Sequence, residues 1–398
     1  MAYKFTEEQE MFRDVARNFA RKDVEPLANR IDLEERTPPE LTKKAAELGL
    51  FGLLIPEKFG GTGANLTTAC LVLEEIGKAS PSFAGLISVD MLLCPWTVET
   101  LGTEEQCRRI LPKSATGERL MAYSQSEPMG AVNTAKHLTK LTPDGNNWRL
   151  NGAKLFCTQG EGKTYIVMCR TSRNGEEGYG VVLVEQEAEG FTVAPYEDKL
   201  GWRGTNTGSI SFDNMLVTPD NILGDLLTAN SLQNLPVNQP SFIAHCAATI
   251  GGVVGMFDKT LEYVKDRELY GEPMYKLSPI SDRMADVHNK IHAMRALLYS
   301  ISPMYDNRPE YPDMPYGSIC KSYICDTAFQ CTDTLLQMWG GSGMMNSTGI
   351  NRYFRDARVN RMAEGSTEAH NAAISLMMLG LDTAAGSIGG RGDNALPD

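Results

Sequence analysis

The chain has little positive charge and no long basic run: its 398 residues carry a formal net charge of −12. Binding to nucleic acid or to an anionic membrane surface depends on clustered lysine and arginine, so neither is indicated. No uninterrupted apolar run reaches the ~18 residues that a membrane-spanning helix needs. The first ten residues are polar and acidic, unlike a signal peptide. We therefore expect a cytoplasmic protein without a membrane span.

The cysteines also show no pattern of a disulfide framework or a metal centre. Nine of them are scattered along the chain, without Cys-x-x-Cys spacing. An odd, unpaired set favours free thiols in a reducing compartment. Cys320, Cys325 and Cys331 lie closest together, and we expect them to be buried helical thiols. His288 and His292 have a spacing of four residues but lack a third ligand, so no metal is expected.

The hydrophobic period changes along the chain and predicts three domains. Residues 1–121 repeat apolar side chains at helical spacing, and Thr6 with Gln9 forms a candidate capping box at the start. Residues 122–235 alternate short β-rich runs with Gly, Asn, Asp and Pro. Within them, Asn151-Gly152 predicts a hairpin turn. A small antiparallel β domain is expected there.

The helical period returns over residues 236–382. Helices are expected at 240–266, 279–302, 316–338 and 367–380. The proline-rich stretch Asn307–Pro315 is expected to connect two of them. Residues 383–398 are Gly-rich and polar, which predicts a flexible tail or a segment that crosses a subunit boundary. No Gly-x-Gly-x-x-Gly follows a strand, so a Rossmann dinucleotide site is not indicated.

Several short motifs occur in a specific order along the chain. They are Tyr123-Ser124-Gln125-Ser126-Glu127-Pro128, Lys154-Leu155-Phe156-Cys157-Thr158, Arg267-Glu268-Leu269-Tyr270-Gly271, Gln337 to Gly341, and Met362-Ala363-Glu364-Gly365-Ser366-Thr367. Together, over about residues 4–382, they resemble the acyl-CoA dehydrogenases, flavoenzymes that desaturate acyl thioesters. The resemblance implies an α+β, mostly α-helical fold with an N-terminal helical domain, a middle antiparallel β domain and a C-terminal four-helix bundle. It also implies FAD, an acyl-CoA substrate, an electron-transferring flavoprotein or similar acceptor, and a homotetramer.

The resemblance assigns the catalytic base to Glu364. Desaturation needs a base for the α-proton and an acceptor for the β-hydride, and no side chain accepts a hydride. A carboxylate can be that base where a dry pocket raises its pKa towards neutrality. The flanks Met362, Ala363 and Gly365 are small or apolar, and Gly365 would let the backbone approach a flat ring or thioester closely. The alternative is a surface acid that caps the following helix.

The resemblance further implies which residues bind cofactor and substrate. The expected cofactor-binding residues are Tyr123, Gln125, Ser126, Phe156, Thr158, Arg267, Tyr270, Gln337, Gly340, Gly341, Ser366 and Glu368, and the expected substrate-binding residues are Val132, Ser241 and Gly365. In the family the Gln-x-x-Gly-Gly loop completes the FAD site of a neighbouring subunit, which implies an oligomer. Val132 stands where the family usually has Ser, and Phe242 where it commonly has Arg. One hydrogen bond to phosphate or pantetheine is therefore in doubt.

Asp90 lies in an otherwise apolar helical run, residues 85–94, whose counterpart lines the acyl pocket in the family. Burying an unpaired carboxylate is costly or raises its pKa. Asp90 therefore either faces solvent or caps a neighbouring element, or it is a second catalytic acid or base. The latter arrangement resembles family members that act on cyclohex-1-ene-1-carboxyl-CoA thioesters, and implies 1,4-dehydrogenation to a cyclic diene. The resemblance is also compatible with an enoyl-CoA reductase and with a non-catalytic CoA-binding relative.

Overall fold

The computed structural model describes residues 4–130, 137–158, 162–173, 176–224, 226, 237–307 and 315–379. Val132, residues 308–314 of the expected connection and the expected tail lie outside these residues. The described chain runs from helices through a β-sheet to a second set of helices. The predicted fold class is thereby confirmed.

The N-terminal helices share the main hydrophobic core with the C-terminal helices and one side of the sheet. They are α1 (Glu7–Phe19), α2 (Ala28–Glu34), α3 (Pro39–Glu47), α4 (Leu66–Ala79), α5 (Pro81–Ser88), α6 (Cys94–Leu101) and α7 (Glu104–Ala115). The predicted capping box is present: Thr6 Oγ1 accepts from the backbone N–H of Gln9, and Gln9 Oε1 accepts from that of Thr6. Pro39 starts α3, where its missing N–H costs no hydrogen bond. A π-helical turn, Val89–Leu93, joins α5 to α6.

The middle segment forms one sheet that is mainly antiparallel. Its strands are β1 (Met121–Ser124), β2 (Lys140–Asp144), β3 (Asn147–Thr158), β4 (Thr164–Arg173), β5 (Glu176–Glu185), β6 (Phe191–Tyr196), β7 (Thr207–Val217) and β8 (Ile222–Leu223). The order is β6-β7-β3-β1-β4-β5-β8, and β2 pairs with both β3 and β4. Among the described strands, only the β1–β4 and β2–β4 pairs are parallel.

The predicted hairpin turn at Asn151-Gly152 is wrong, because β3 runs unbroken through it. The chain turns earlier, between β2 and β3, where Gly145 has φ +63°. Gly152 instead lies at a register shift against β7 and has φ +136°. A Cβ there would lie 2.5 Å from Thr139 Cα, so glycine is needed at this bulge.

The C-terminal helices are α8 (Asn238–Asp266), α9 (Ser278–Ile301), α10 (Tyr316–Trp339), α11 (Asn351–Asn360) and α12 (Thr367–Met378), and the short strands β9 (Glu268–Leu269) and β10 (Glu272–Pro273) pair after α8. The four predicted helices are present with small shifts at their ends, and α11 was not predicted.

Helix α8 crosses α4 closely. A Cβ on Gly251 would lie 2.2 Å from Glu74 O, so the contact joins the N-terminal helices to the C-terminal ones through backbone.

Two helical stretches, Pro81–Leu101 and Asn238–Asp266, are long and apolar enough to cross a membrane by length and composition. In the fold, however, 100% and 89% of their most apolar windows are buried. Both therefore serve as core helices among the described residues.

Candidate active site

Glu364 lies in the loop between α11 and α12, and its backbone is held in an unusual conformation. Its φ is +55°, and that of Gly365 is +97°. A left-handed conformation is uncommon for a residue with a side chain. The imidazole of His370 donates from Nε2 to Glu364 O at 3.1 Å, and a Cβ on Gly365 would lie 3.0 Å from that same nitrogen. Such strained residues persist where their surroundings fix them, commonly at functional sites.

The carboxylate of Glu364 points back to helix α8. Ser241 Oγ donates to Glu364 Oε2 at 2.8 Å, and His245 Nδ1 lies 4.0 Å from Glu364 Oε1. Ser241 and His245 are one turn apart on the same face of α8. The Glu364 side chain is 18% exposed, so it is neither sealed off nor on the open surface. The alternative of a surface acid that caps α12 is wrong, since Ser366 is the N-cap of that helix.

A lysine on helix α10 holds the backbone of the Glu364 loop. Lys321 is buried, and its Nζ donates to Asn360 O at 2.6 Å and to Gly365 O at 3.3 Å. Burial and then the charge of Lys321 lower the pKa of His370 to about 4. The imidazole that holds Glu364 O is therefore neutral around pH 7.

Tyr123 approaches the same region from the sheet. It pairs with Thr158 across β1 and β3. Its hydroxyl is buried and has no hydrogen-bond partner among the residues that the structure describes. Burial, with smaller contributions from Cys94 and Glu364, raises its pKa well above the usual value, so the hydroxyl stays protonated. An unpaired buried donor of this kind is a candidate contact for a ligand.

The segment after β1 is fixed by a buried ion pair. Gln125 and Ser126 follow β1 rather than lie in it. Lys154 Nζ donates to Gln125 O at 3.1 Å and to Glu127 Oε1 at 2.6 Å, and the Leu155 N–H donates to Ser126 O at 2.9 Å. Burial alone would raise the pKa of Glu127, but Lys154 and backbone donors outweigh it and lower the pKa. The Ser126 backbone is thereby held beside β3.

Phe156 is an apolar ring left largely uncovered in the single chain. It has φ +56° and is 63% exposed. Its neighbour in the same strand, Thr158, is half-buried opposite Tyr123. An exposed ring with the half-buried Thr158 two residues further along the same strand fits a flat, partly polar ring system such as an isoalloxazine.

A second exposed group lies at the far end of the C-terminal helices. Tyr263 near the end of α8 stacks on Trp339 at the end of α10, with ring centroids 4.1 Å apart. This contact brings the C-terminal ends of α8 and α10 together. The predicted residues at and after these ends are Arg267, Tyr270, Gln337, Gly340 and Gly341. Tyr270 is 96% exposed and left-handed, and nothing lies within 4 Å of a Cβ built on Gly340 or Gly341. These residues form an open surface rather than part of the Glu364 site.

Ser366 and Glu368 lie at the start of α12. Ser366 Oγ accepts from the Ala369 N–H at 3.2 Å and so caps the helix. Glu368 is exposed, and hydrogen bonds with its own backbone N–H and with Ser366 lower its pKa. Capping thus occupies the Ser366 hydroxyl in the single chain.

Asp90 lies in the π-helical turn between α5 and α6 and is fully buried. Its Oδ1 accepts from the Met121 N–H, the first residue of β1, at 2.6 Å. Burial raises the pKa of the Cys94 thiol one turn later, and the charge of Asp90 adds to this. The alternative of a solvent-facing Asp90 is wrong, while the alternative of a cap on a neighbouring element agrees with the contact to β1.

His245 is the residue that the sequence analysis missed. The sequence does place His245 four residues after Ser241, on the same face of α8. This spacing indicates a site only once the structure shows that Glu364 faces α8.

A helix–sheet–helix chain with a strained, partly buried glutamate and an exposed aromatic ring agrees with the resemblance to the flavin-dependent desaturases of acyl thioesters. The chain matches the family models described as the acyl-CoA dehydrogenase N-terminal domain over residues 6–118, middle domain over 122–215 and C-terminal domain over 241–379. The chain belongs to the acyl-CoA dehydrogenase family.

Individual relatives agree along nearly the whole chain. The mitochondrial isobutyryl-CoA dehydrogenase of Dictyostelium discoideum is 31% identical over 93% of this chain and 89% of the relative. The acryloyl-CoA reductase (NADH) of Anaerotignum propionicum is 32% identical over 94% and 95%. The structure of butyryl-CoA dehydrogenase from Megasphaera elsdenii superposes with a TM-score of 0.88, at 26% identity, over 95% and 100%. The predicted fold, enzyme class and FAD cofactor are confirmed.

Proposed function

We propose that Glu364 is the base in the FAD-dependent dehydrogenation of an acyl-CoA thioester by this enzyme. The observation that carries this role is the carboxylate itself: it is partly buried, bonded by Ser241 at 2.8 Å and mounted on a strained backbone. A carboxylate so placed can take the α-proton because it is oriented before the substrate arrives. The bound FAD supplies the acceptor for the β-hydride.

The residues around FAD divide into two groups in this proposal. Gln125, Ser126, Phe156 and Thr158 would hold the ring, since Lys154 and Leu155 hold the backbone of Gln125 and Ser126 beside β3, the strand that carries the exposed Phe156 and the half-buried Thr158. Tyr123 would lie between this group and Glu364, where its unpaired hydroxyl meets ligand. Ser366 and Glu368 would meet the cofactor from the start of α12. The backbone of Gly365 would lie against the thioester, with Ser241 and Val132 on the substrate side.

Arg267, Tyr270, Gln337, Gly340 and Gly341 would hold the phosphates and adenine of FAD across a subunit boundary. Their exposure supports this, because an uncovered tyrosine and an uncovered arginine at the same end of the helices form no closed site in one chain. We therefore infer a homotetramer. An electron-transferring flavoprotein or a similar protein would accept the electrons, in the cytoplasm.

The test is Glu364→Gln, which keeps the shape of the side chain and removes the base. Turnover should fall by about 10²–10⁴-fold or more, while FAD content and binding of the CoA thioester persist. The exposed carboxylate Glu262 on α8 provides the matched control as Glu262→Gln, which should keep full turnover. Near-normal turnover of Glu364→Gln would show that another residue is the base, and Asp90 would be the next candidate to test.

A second candidate function uses Asp90 for the 1,4-dehydrogenation of an alicyclic enoyl-CoA. The observation that favours it is a fully buried carboxylate in a π-helical turn, a distortion that is frequent at functional sites. In this proposal Asp90 removes a vinylogous proton several carbons from the thioester carbonyl. The direction could also be reversed, as in the acryloyl-CoA reductase relative, with Glu364 then donating the proton. Anaerobic flavin bleaching by straight, branched and alicyclic thioesters separates these substrate classes.

A further inference from the structure

Tyr123 carries a buried hydroxyl group to which the proposed reaction assigns no particular ligand atom. The hydroxyl oxygen is shielded from solvent and has no hydrogen-bond partner among the described residues, although the ring that carries it is only half-buried. Buried polar atoms without a partner are rare, and each calls for an explanation. A bound ligand with an acceptor atom would supply the missing partner.

The contacts along β1 show that Tyr123 points from the sheet towards the helices. Successive side chains of a strand face opposite sides of the sheet. Ala122 belongs to the second core, which the sheet forms by itself, and Ser124 Oγ lies 2.8 Å from Cys157 Sγ in that same core. Met121 belongs instead to the main core, and Tyr123 packs against it. The hydroxyl of Tyr123 is therefore directed into the layer that carries the candidate active site.

Tyr123 enters this layer beside the π-helical turn that carries Asp90. Asp90 Oδ1 accepts from the Met121 N–H at 2.6 Å, which fixes the turn to β1 two residues before Tyr123. Burial above all, and then Cys94 and Glu364, raise the pKa of Tyr123 well above its usual value, so the hydroxyl is protonated and can donate. A ligand that lies between the turn and the Glu364 carboxylate would meet this hydroxyl.

The charges around the hydroxyl restrict which acceptor it can receive. The groups that act on Tyr123 by charge are acidic, namely Cys94 and Glu364, and the carboxyl group of Asp90 lies on the neighbouring turn. A carboxylate on the substrate would therefore meet groups of its own charge, whereas a neutral ether, hydroxyl or ketone oxygen would not. A pure hydrocarbon would leave the donor unpaired.

The thioester carbonyl is not the oxygen that this position favours. In the proposed function the thioester lies against the backbone of Gly365, in the loop between α11 and α12. Tyr123 approaches instead from the sheet, beside the turn between α5 and α6. Two groups from such different parts of the fold are suited to two different atoms of one substrate. The hydroxyl of Tyr123 is therefore left for an oxygen elsewhere in the acyl group.

We propose that Tyr123 is a specificity-determining residue that selects acyl-CoA thioesters with a neutral oxygen atom beyond the β-carbon of the acyl group. The inference rests on the proposed dehydrogenation with Glu364 as the base. The α- and β-carbons each lose a hydrogen in that reaction, so the oxygen belongs on a later position of the chain or ring. Tyr123 donates a hydrogen bond to this oxygen, and no covalent bond changes there.

The experiment compares matched thioesters on the flavin-loaded enzyme, with a dye as electron acceptor. 4-Methoxybutyryl-CoA is paired with hexanoyl-CoA, in which a methylene replaces the ether oxygen, and 4-oxopentanoyl-CoA with 4-methylpentanoyl-CoA, in which a methyl replaces the ketone oxygen. The ratio of kcat/KM within each pair is measured. Tyr123→Phe keeps the ring and removes the donor, so it should lower the ratio of oxygenated to hydrocarbon thioester by about tenfold in at least one pair. Tyr196→Phe, on the exposed side of the edge strand β6, should leave both ratios unchanged.

A change of less than about threefold in both ratios overturns the proposal, because the hydroxyl then donates to no oxygen of the acyl group. An equal fall for both members of each pair would assign the hydroxyl to the thioester carbonyl, and loss of FAD from Tyr123→Phe would assign it to the cofactor; either result also overturns the proposal. Faster turnover of glutaryl-CoA, which ends in a carboxylate, than of both oxygenated thioesters would contradict the choice of a neutral oxygen. Failure of the proposed function is distinguishable, since the wild-type enzyme would then desaturate neither the hydrocarbon nor the oxygenated thioesters.

Discussion

His370→Gln is expected to remove part of the acid sensitivity of the fold. The imidazole is buried between helices, with Nδ1 3.1 Å from Ser318 Oγ and Nε2 3.1 Å from Glu364 O. Phe242 meets it edge-on, with ring centroids 4.6 Å apart. Burial, followed by the charge of Lys321, lowers the pKa of His370 from its ordinary 6.5 to about 4. The glutamine amide can keep the donation to Glu364 O without a titrating group.

The direction in which stability changes with pH follows from which state, native or unfolded, binds the proton more readily. The unfolded chain takes it up near pH 6.5, while the native state resists it until about pH 4. Stability from this residue is therefore complete above pH 6.5 and is lost as the pH falls towards 4. At ~1.4 kcal/mol per pH unit the full interval is worth about 3 kcal/mol, and about 2 kcal/mol of it is lost by about pH 5.

The assay is urea unfolding of the holoenzyme at about pH 7.5 and about pH 5, followed by far-ultraviolet circular dichroism at one protein concentration. Between the two pH values, the wild type should lose about 2 kcal/mol more than His370→Gln does. His292→Gln, an exposed histidine, should behave as the wild type. Equal losses in the wild type and His370→Gln would refute the argument that burial keeps His370 neutral.

Three further predictions test other parts of the structure. Asp90→Asn should keep FAD and α-proton exchange but stop diene formation from alicyclic enoyl-CoA thioesters; full activity with a loss of at most about 1–2 kcal/mol would reduce Asp90 to a cap on β1. Lys154→Met should destabilise the protein by about 3–5 kcal/mol, because it leaves Glu127 charged and buried, and Glu127→Gln in the same chain should restore part of this in urea unfolding. Light scattering at micromolar concentration should show a homotetramer, and a flavin-loaded monomer would contradict the shared FAD site.

The helical parts of the fold could be predicted because their signals are local. Thr6 with Gln9 and Pro39 start helices where the sequence indicates, and the ends of α8, α9, α10 and α12 lie close to the predicted ones. Capping and period act within one or two turns, so a single sequence carries them. Helix α11 was missed because its ten residues are mainly polar: beside Tyr353 and Ala357, its buried residues are Asn351, Arg352, Asp356 and Asn360.

The sheet was less predictable because strand pairing is decided at long range. Asn151-Gly152 has the residues of a tight turn, yet β7 pairs across it and Thr139 approaches Gly152 from the side of β2. Asn151 instead uses its Oδ1 to accept from the Asn214 N–H at 2.8 Å. Both partners are distant in sequence, so the residues around Asn151 do not reveal that β3 continues through them.

The site, too, could be predicted only in part from its motif, because residues distant in sequence complete it. The motif around Glu364 names the base, but the setting of that base comes from elsewhere: Ser241 and His245 on α8, Lys321 on α10 and His370 on α12. Each helix contributes a different constraint: α8 sets the direction of the carboxylate through Ser241, while Lys321 on α10 and His370 on α12 hold the strained backbone of the loop. A substitution on α8 can therefore change the direction of the Glu364 carboxylate while the motif around it stays intact.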